Sequence, residues 1–445
     1  MKRFNLSLVG LVALVSMVLS ACGGAAPVAP TTVPATAVPA TAAAEAKPTA
    51  AAEVKPTAAA EVKPTAAAEV KPTAASAAMT GTMTIKGSVT LWHAYGTGSA
   101  EEKAITQLID AAKKANPDAK IDVLQIPFDQ IFTKFQNEVA TGGGPDMFIA
   151  PNDSLGDQVR AGLLADLSSY ASMLTDVSPT GVEGMTVEGK LYAIPESFKA
   201  VALYYNTDKV KTAPTTTDEL LAAVKGTNTL VLNQGAYHNF GWLQAFGGKL
   251  MDATGKCVAD QAGGTEWFTY LKDLKAQKNV TFSTDGGQAD SLFKEGKVDM
   301  IVNGPWQLGD YKTALGAKLG VASMPGAKNP AGPLTGVDGF YVNVNSKNVD
   351  GAVALAMFLT SAESSKVYAD MAGHVPVNTT VDISDPLVEA FADASATGVP
   401  RPQVAELSNF WGNFDNAITK VLDAAGDPAT EIKAACTKMN EANKK

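Results

Sequence analysis

The sequence predicts an α/β protein of two lobes joined by a hinge of several chain segments, and three observations point there. Strand-like and helix-like segments alternate from Ser88 onward, the pattern of a sheet covered by helices on both faces. About 360 residues follow Met83, too many for one ordinary core and enough for two. The chain starts one such unit, builds a second that is richer in helix, and returns to a strand at 339–345, so it crosses between lobes more than once.

The elements can be justified in order. Residues 88–95 read as a strand, and Ser99 opens a helix with Glu102 at capping-box spacing, followed by Ile105, Leu108, Ile109 and Ala112 at helical period. Asn116-Pro117 ends that helix. A second strand spans 120–126, and Ile131, Phe132, Phe135 and Val139 mark a second apolar helix face. The run Thr141-Gly142-Gly143-Gly144-Pro145-Asp146 breaks it before a short strand at 147–150. Such alternation predicts a parallel sheet, whose ligands bind at the carboxyl ends of its strands. A strand at 200–206 leads into helices at 217–225, 237–246, 265–277 and 290–295, with strands at 229–233 and 298–303 between them. After the strand at 339–345 the chain reads as helix over 353–359, 364–371, 409–422 and 429–440.

Ahead of this body, residues 1–21 carry Lys2 and Arg3, an apolar run from Leu6 to Leu19, and Leu19-Ser20-Ala21-Cys22 at the end. The order is that of a secretory signal, and the apolar run is short for a spanning helix. Leu-Ser-Ala-Cys is similar to the lipobox of bacterial lipoproteins, which makes Cys22 the expected lipidation site and the membrane a partner through its acyl chains. From Cys22 to residue 82 the composition is almost wholly Ala, Pro, Thr, Val, Lys and Glu. Glu-Val-Lys-Pro-Thr-Ala-Ala-Ala recurs every eight residues around Glu53, Glu61 and Glu69. A segment of this kind buries no core and reads as a disordered, semi-flexible spacer reaching roughly 40 Å as a coil and 190 Å when extended.

The formal net charge is −9 with no basic cluster, which argues against nucleic acid as a partner. The three histidines, His93, His238 and His374, form no His-Glu-x-x-His pair, and there is no Gly-x-Ser-x-Gly elbow. Gly142–Gly144 end a helix rather than begin one and lack the Gly-Lys-Ser/Thr of a phosphate cradle. No catalytic residue, metal or cofactor is therefore expected. With Cys22 modified, Cys257 and Cys436 remain, either as one disulfide or as two thiols.

Aromatic residues beside small and polar ones are more informative. Asn303-Gly304-Pro305-Trp306 sits where a strand turns into a helix, and Trp411 lies in Asn409-Phe410-Trp411-Gly412, whose polar and glycine neighbours leave one indole face uncovered. Sugars present flat C–H faces to such rings and need carboxylates and amides for their hydroxyls. On composition alone, both tryptophans fit a hydrophobic core equally well.

The segment from Phe293 to Trp306, Phe-Lys-Glu-Gly-Lys-Val-Asp-Met-Ile-Val-Asn-Gly-Pro-Trp, closely resembles the signature of family 1 extracellular solute-binding proteins of ABC importers, which include the maltose/maltodextrin-binding proteins. Val89-Thr90-Leu91-Trp92, Ala140–Asp146, Ala161-Gly162-Leu163-Leu164, Leu203-Tyr204-Tyr205-Asn206, Gly247-Gly248 and Ser408-Asn409-Phe410-Trp411 follow in the family's order. The resemblance covers the chain from Val89 onward. It implies a two-lobed periplasmic-binding-protein fold of type II-like topology, with lobe one at 83–197 and 340–385 and lobe two at 198–339 and 386–445. A ligand would bind in the cleft between them.

The resemblance also assigns roles. It makes Trp306 and Trp411 aromatic platforms, Asp153 a carboxylate that accepts sugar hydroxyls, Tyr237 a second-lobe aromatic and Trp92 a residue near the cleft. Lys199 stands where the maltose-binding pattern has an acidic residue, Ser154 where it has a basic one and Ala150 where it has an aromatic, so Glu196 or Lys199 enters the expected ligand set. Cys257 and Cys436 both fall in the second lobe, which makes their disulfide the expectation. The implied protein is a monomer tethered outside the cell membrane that hands a small oligosaccharide to ABC permease subunits. An anionic or amine solute, a sugar-sensing receptor and an exported glycoside hydrolase are the alternatives.

Overall fold

The computed structural model describes residues 83–445; the expected signal, Cys22 and the repeat spacer lie outside them. Two main sheets organise the body. The first holds seven strands in the spatial order Val375–Pro376, Ala193–Lys199, Leu334–Val342, Met147–Pro151, Ser88–His93, Lys120–Gln125, with Val399–Pro400 paired beside Leu334–Thr335. Its three N-terminal strands are mutually parallel, as the alternation predicts. Ala193–Lys199, Leu334–Val342 and Val375–Pro376 make antiparallel pairs, so the sheet is mixed rather than parallel. The cause is topological, because these strands are the ends of crossing segments and are not βαβ returns.

The second sheet has five strands in the order Leu319–Ala322, Ala202–Asn206, Met300–Asn303, Leu230–Asn233, Val280–Ser283. Both faces are covered, and strand alternation shows how. Leu230, Leu232, Met300 and Val302 join a core with Trp242, Trp267, Phe410 and Phe414, whereas Val231 and Ile301 point the other way to Tyr204, Phe293, Tyr311 and Phe391. The first lobe has its own core around Val89, Leu91, Phe148 and Tyr341.

Three segments cross between the sheets: Ala200-Val201, residues 323–333 and residues 377–385. The second crossing ends at Leu334 and not at residue 339, because Leu334–Val342 hydrogen-bonds within the first sheet, with a bulge at Asp338/Gly339. The first begins after Lys199, so Phe198 and Lys199 also belong to the first sheet. Cys257 and Cys436 are joined by a disulfide, Cα–Cα 5.3 Å, which ties the loop around Met251–Cys257 to the helix Pro428–Asn443 within the second lobe.

Candidate binding site

The Asn303–Trp306 corner is built from buried hydrogen bonds. Asn303 donates from Nδ2 to Asp290 Oδ1 (2.7 Å) and Tyr311 Oη (3.0 Å), and its own Oδ1 accepts from Gly304 N (2.9 Å). Tyr204 Oη donates to the Gly304 carbonyl (2.8 Å). With the strand end fixed, Pro305 opens a short 3₁₀ turn and the Trp306 indole folds back over Gly304. A Cβ at Gly304 would come within 2.0 Å of the ring, so only glycine fits.

Trp411 starts the helix Trp411–Asp423, anchored from behind by the fully buried Phe410 and Phe414. From the same helix Asp415 accepts a hydrogen bond from Ala236 N (2.7 Å), which seats the turn Ala236–Asn239 and therefore Tyr237. The Tyr237 ring centroid lies 6.2 Å from Trp306 and 6.4 Å from Trp411. Three half-buried aromatic rings from three separate segments thus form one platform. His238 meets Trp306 edge-on at 6.1 Å, and burial pushes its imidazole down to about 4, leaving it neutral.

Asp153 follows the first-sheet strand Met147–Pro151 and pairs with Arg401, a residue the sequence reading missed. Arg401 is held by its N–H to the Thr335 carbonyl (3.0 Å), beyond the short strand Val399–Pro400. Its Nη1 also donates to Asn152 Oδ1 (3.3 Å), while the guanidinium carbon lies 5.3 Å from the Tyr237 ring centroid and 5.9 Å from that of Trp411. One side chain therefore bridges the Asn152-Asp153 turn of the first lobe and the platform of the second. Burial lowers the Arg401 pKa, but the Asp153 carboxylate and the two ring faces favour the cation, which persists at neutral pH. One signal was available in the sequence: Arg401 is one of only three arginines among 36 basic residues, in a chain that otherwise uses lysine.

Lys199 and Glu196 do not join the platform. Lys199 is 3 % exposed, with its Nζ 3.2 Å from Glu101, 3.3 Å from Asp338 and 3.0 Å from His374 Nε2. Glu196 is fully enclosed, 3.0 Å from His374 Nδ1, and His374 Nε2 lies 2.8 Å from Glu101. Burial opposes the Lys199 charge, but Asp338, Glu101 and Glu196 together hold it above the ordinary lysine range. Burial likewise opposes the His374 charge, and Glu196 outweighs it, raising the imidazole to about 9. Of this cluster the sequence singles out Lys199 and Glu196 as ligand candidates and Asp338 only as a carboxylate of the hydrolase alternative, while Glu101 and His374, 98 and 175 residues from Lys199, carry no signal as its partners. Trp92 is buried in the first-lobe core with Lys134 Nζ 5.0 Å from its ring centroid, apart from the other aromatics.

Comparison with known proteins agrees with this architecture. Residues 107–395 match the family described as bacterial extracellular solute-binding protein. The galactooligosaccharide-binding protein of Bacillus subtilis is 26 % identical over 73 % of this chain and 83 % of its own. The maltooligosaccharide ABC transporter solute-binding lipoprotein of Streptococcus pneumoniae is 25 % identical over 82 % of this chain and 96 % of its own. Among solved structures, the Thermus thermophilus maltotriose binding protein bound with maltotriose superposes with a TM-score of 0.73 at 30 % identity, covering 80 % of this chain and all of that one. With two lobes, three crossings and a family match across most of the body, this chain belongs to the bacterial extracellular solute-binding proteins.

Proposed function

We propose that this protein captures a short neutral oligosaccharide of the maltodextrin kind between its lobes and delivers it to an ABC permease, without chemical change to the sugar. The observation that carries the reading is the convergence of Tyr237, Trp306 and Trp411 beside the Asn152-Asp153 turn and Arg401. Flat rings suit pyranose C–H faces, while the amide, carboxylate and guanidinium offer both acceptors and donors to hydroxyls. A ligand that touches both sides does so only when the lobes meet, so binding favours closure. The maltooligosaccharide-binding and maltotriose-binding relatives support the same ligand class.

The lipobox-like Leu19–Cys22 and the lipoprotein relative support a lipid anchor at Cys22, on the outer face of the membrane. An anionic ligand held by Lys199 is disfavoured, since three carboxylates already surround that ammonium. Hydrolysis would need two carboxylates flanking one bond. Here Asp153 is bound by Arg401, and Glu196 is enclosed against His374.

Tryptophan fluorescence of the purified full chain, titrated with maltose, maltotriose, trehalose, a cyclodextrin and a sugar phosphate, tests the reading. A saturable response to a neutral sugar is expected, and Trp306→Ala should weaken it about two- to tenfold, the stacking being worth about 0.5–1.5 kcal/mol. A response to the phosphate alone, or to none of the panel, would overturn it.

A further inference from the structure

Beside the platform, the cluster of Glu101, Glu196, Lys199, Asp338 and His374 sets three carboxylates against two cations, all shielded from solvent. Its members come from the first helix of the first lobe, Ala100–Ala115, from the strands Ala193–Lys199 and Leu334–Val342, and, for His374, from the turn just before the strand Val375–Pro376. Glu196 and Glu101 each hold His374, and Glu101 also holds Lys199. Asp338 is left with half a partner. Its Oδ2 is 3.3 Å from Lys199 Nζ, while its Oδ1 is buried with nothing donating to it, on a residue 5 % exposed. The Asp338 charge is also felt across the lobes at Tyr237, where it adds to burial in pushing the phenol pKa up. Gly336, two residues before Asp338 on the strand Leu334–Val342, would put a Cβ 2.8 Å from Arg401 Nη1 and 3.1 Å from Asn152 Oδ1, and strand alternation turns the Asp338 side chain to that same face, beside the platform.

An unpaired buried acceptor is costly, and a hydroxyl donated to it removes that cost. We propose that Asp338 is a specificity-determining residue of the sugar site, accepting a ligand hydroxyl on its free oxygen as the carboxylate, so that capture of the sugar expels a proton from Asp338. The proposal rests on the sugar-binding reading.

The neighbours of Asp338 fix the sign. Burial raises its carboxyl to about 6, Lys199 and His374 oppose that rise, and Glu196 and Glu101 add to it. Lys199 and His374 stay cationic through neutral pH, and Glu101 and Glu196, drawn down by those cations despite burial, stay ionised. Tyr95, Tyr368 and Tyr237 face the same groups from their own elements and stay neutral, their pKa values raised by burial. Asp338 is thus the member whose charge changes between pH 5 and 8. Because the sugar favours its carboxylate, affinity rises with pH through about 6 and binding releases protons.

Isothermal titration of the full chain with maltotriose at pH 6, in two buffers of different ionisation enthalpy, measures that release. Up to about half a proton per sugar is expected, together with an affinity about fourfold lower at pH 5.5 than at pH 7.5. Asp338→Asn should bind more weakly, release no proton and show a flat pH profile. Infrared difference spectra of the unmodified chain provide a second reading if that variant does not fold: the carbonyl band of a protonated carboxyl should vanish on adding maltotriose. Binding without proton release, a band that persists, or an Asp338→Asn chain with unchanged affinity and release would overturn the proposal and leave the sugar reading intact. No binding to any sugar at any pH would overturn both.

Discussion

Arg401 shows how a single side chain can join two lobes. Its charge is balanced by Asp153 from one side and its flat face meets Tyr237 and Trp411 on the other. A lysine there would keep the charge but lose the planar stacking and the fork geometry. Arg401→Met and Arg401→Lys are both expected to open the ligand-free protein, seen as a larger radius of gyration in solution scattering. Unchanged scattering from both variants would show that the bridge does not hold the lobes. At this scale the sequence was legible where chemistry is local. Trp306 and Trp411 stood out because glycine and asparagine surround them, and at Trp306 those neighbours do build its setting. Lys199 and Glu196 were not legible, because a lysine reads alike on a wet rim and in an ion cluster whose partners Glu101, Asp338 and His374 are about a hundred residues or more away in the chain.

Among elements, those with strong periodicity were read well: the helices Ala100–Ala115 and Thr217–Lys225 begin at the Ser99 and Thr216 caps, and Met300–Asn303 is a strand. The strand Ala193–Lys199 escaped notice because Pro195, Glu196 and Lys199 break its apolar pattern. Those polar side chains are satisfied by the cluster and not by solvent. The helix expected after the Asn303–Trp306 corner is present as Leu308–Leu315, whereas Pro386–Ala396 was missed because it follows a turn rich in aspartate, which reads as loop when tertiary packing is unknown. The second lobe's C-terminal helices also depend on a covalent tie. Cys257→Ser should lower stability by about 2–4 kcal/mol in denaturant titrations. Sugar affinity at 25 °C should be unchanged, since the disulfide touches neither the platform nor a crossing. An unaltered midpoint would show that helix packing alone holds Pro428–Asn443 in place.

For the whole molecule, the buried cluster makes stability depend on pH in a predictable direction. His374 has a folded pKa of about 9 against an ordinary 6.5, so its contribution is complete below 6.5 and is lost as pH rises through 9. Glu101 and Glu196 are lowered from 4.5, so theirs is present above 4.5 and lost as pH falls below it. Asp338 runs the other way from Glu101 and Glu196: its raised carboxyl removes stability as pH climbs from 3.8 through about 6. The melting temperature should therefore peak in mildly acidic solution and decline from pH 6.5 to 9, and His374→Gln should flatten that alkaline decline. A wild-type melting temperature still rising at pH 9 would contradict the cluster's charge assignment.

The Arg401 bridge also bears on how far a ligand has to push. Moving a two-state equilibrium from 1:99 to 99:1 requires about 5.5 kcal/mol of preference for the favoured state. A contact between the lobes supplied by the protein itself shifts the starting ratio toward the closed form before any sugar arrives. Each 1.4 kcal/mol it contributes reduces the remaining ratio tenfold. A permease that recognises closure alone would then meet a background of closed, unloaded molecules, and discrimination against them would fall to the permease.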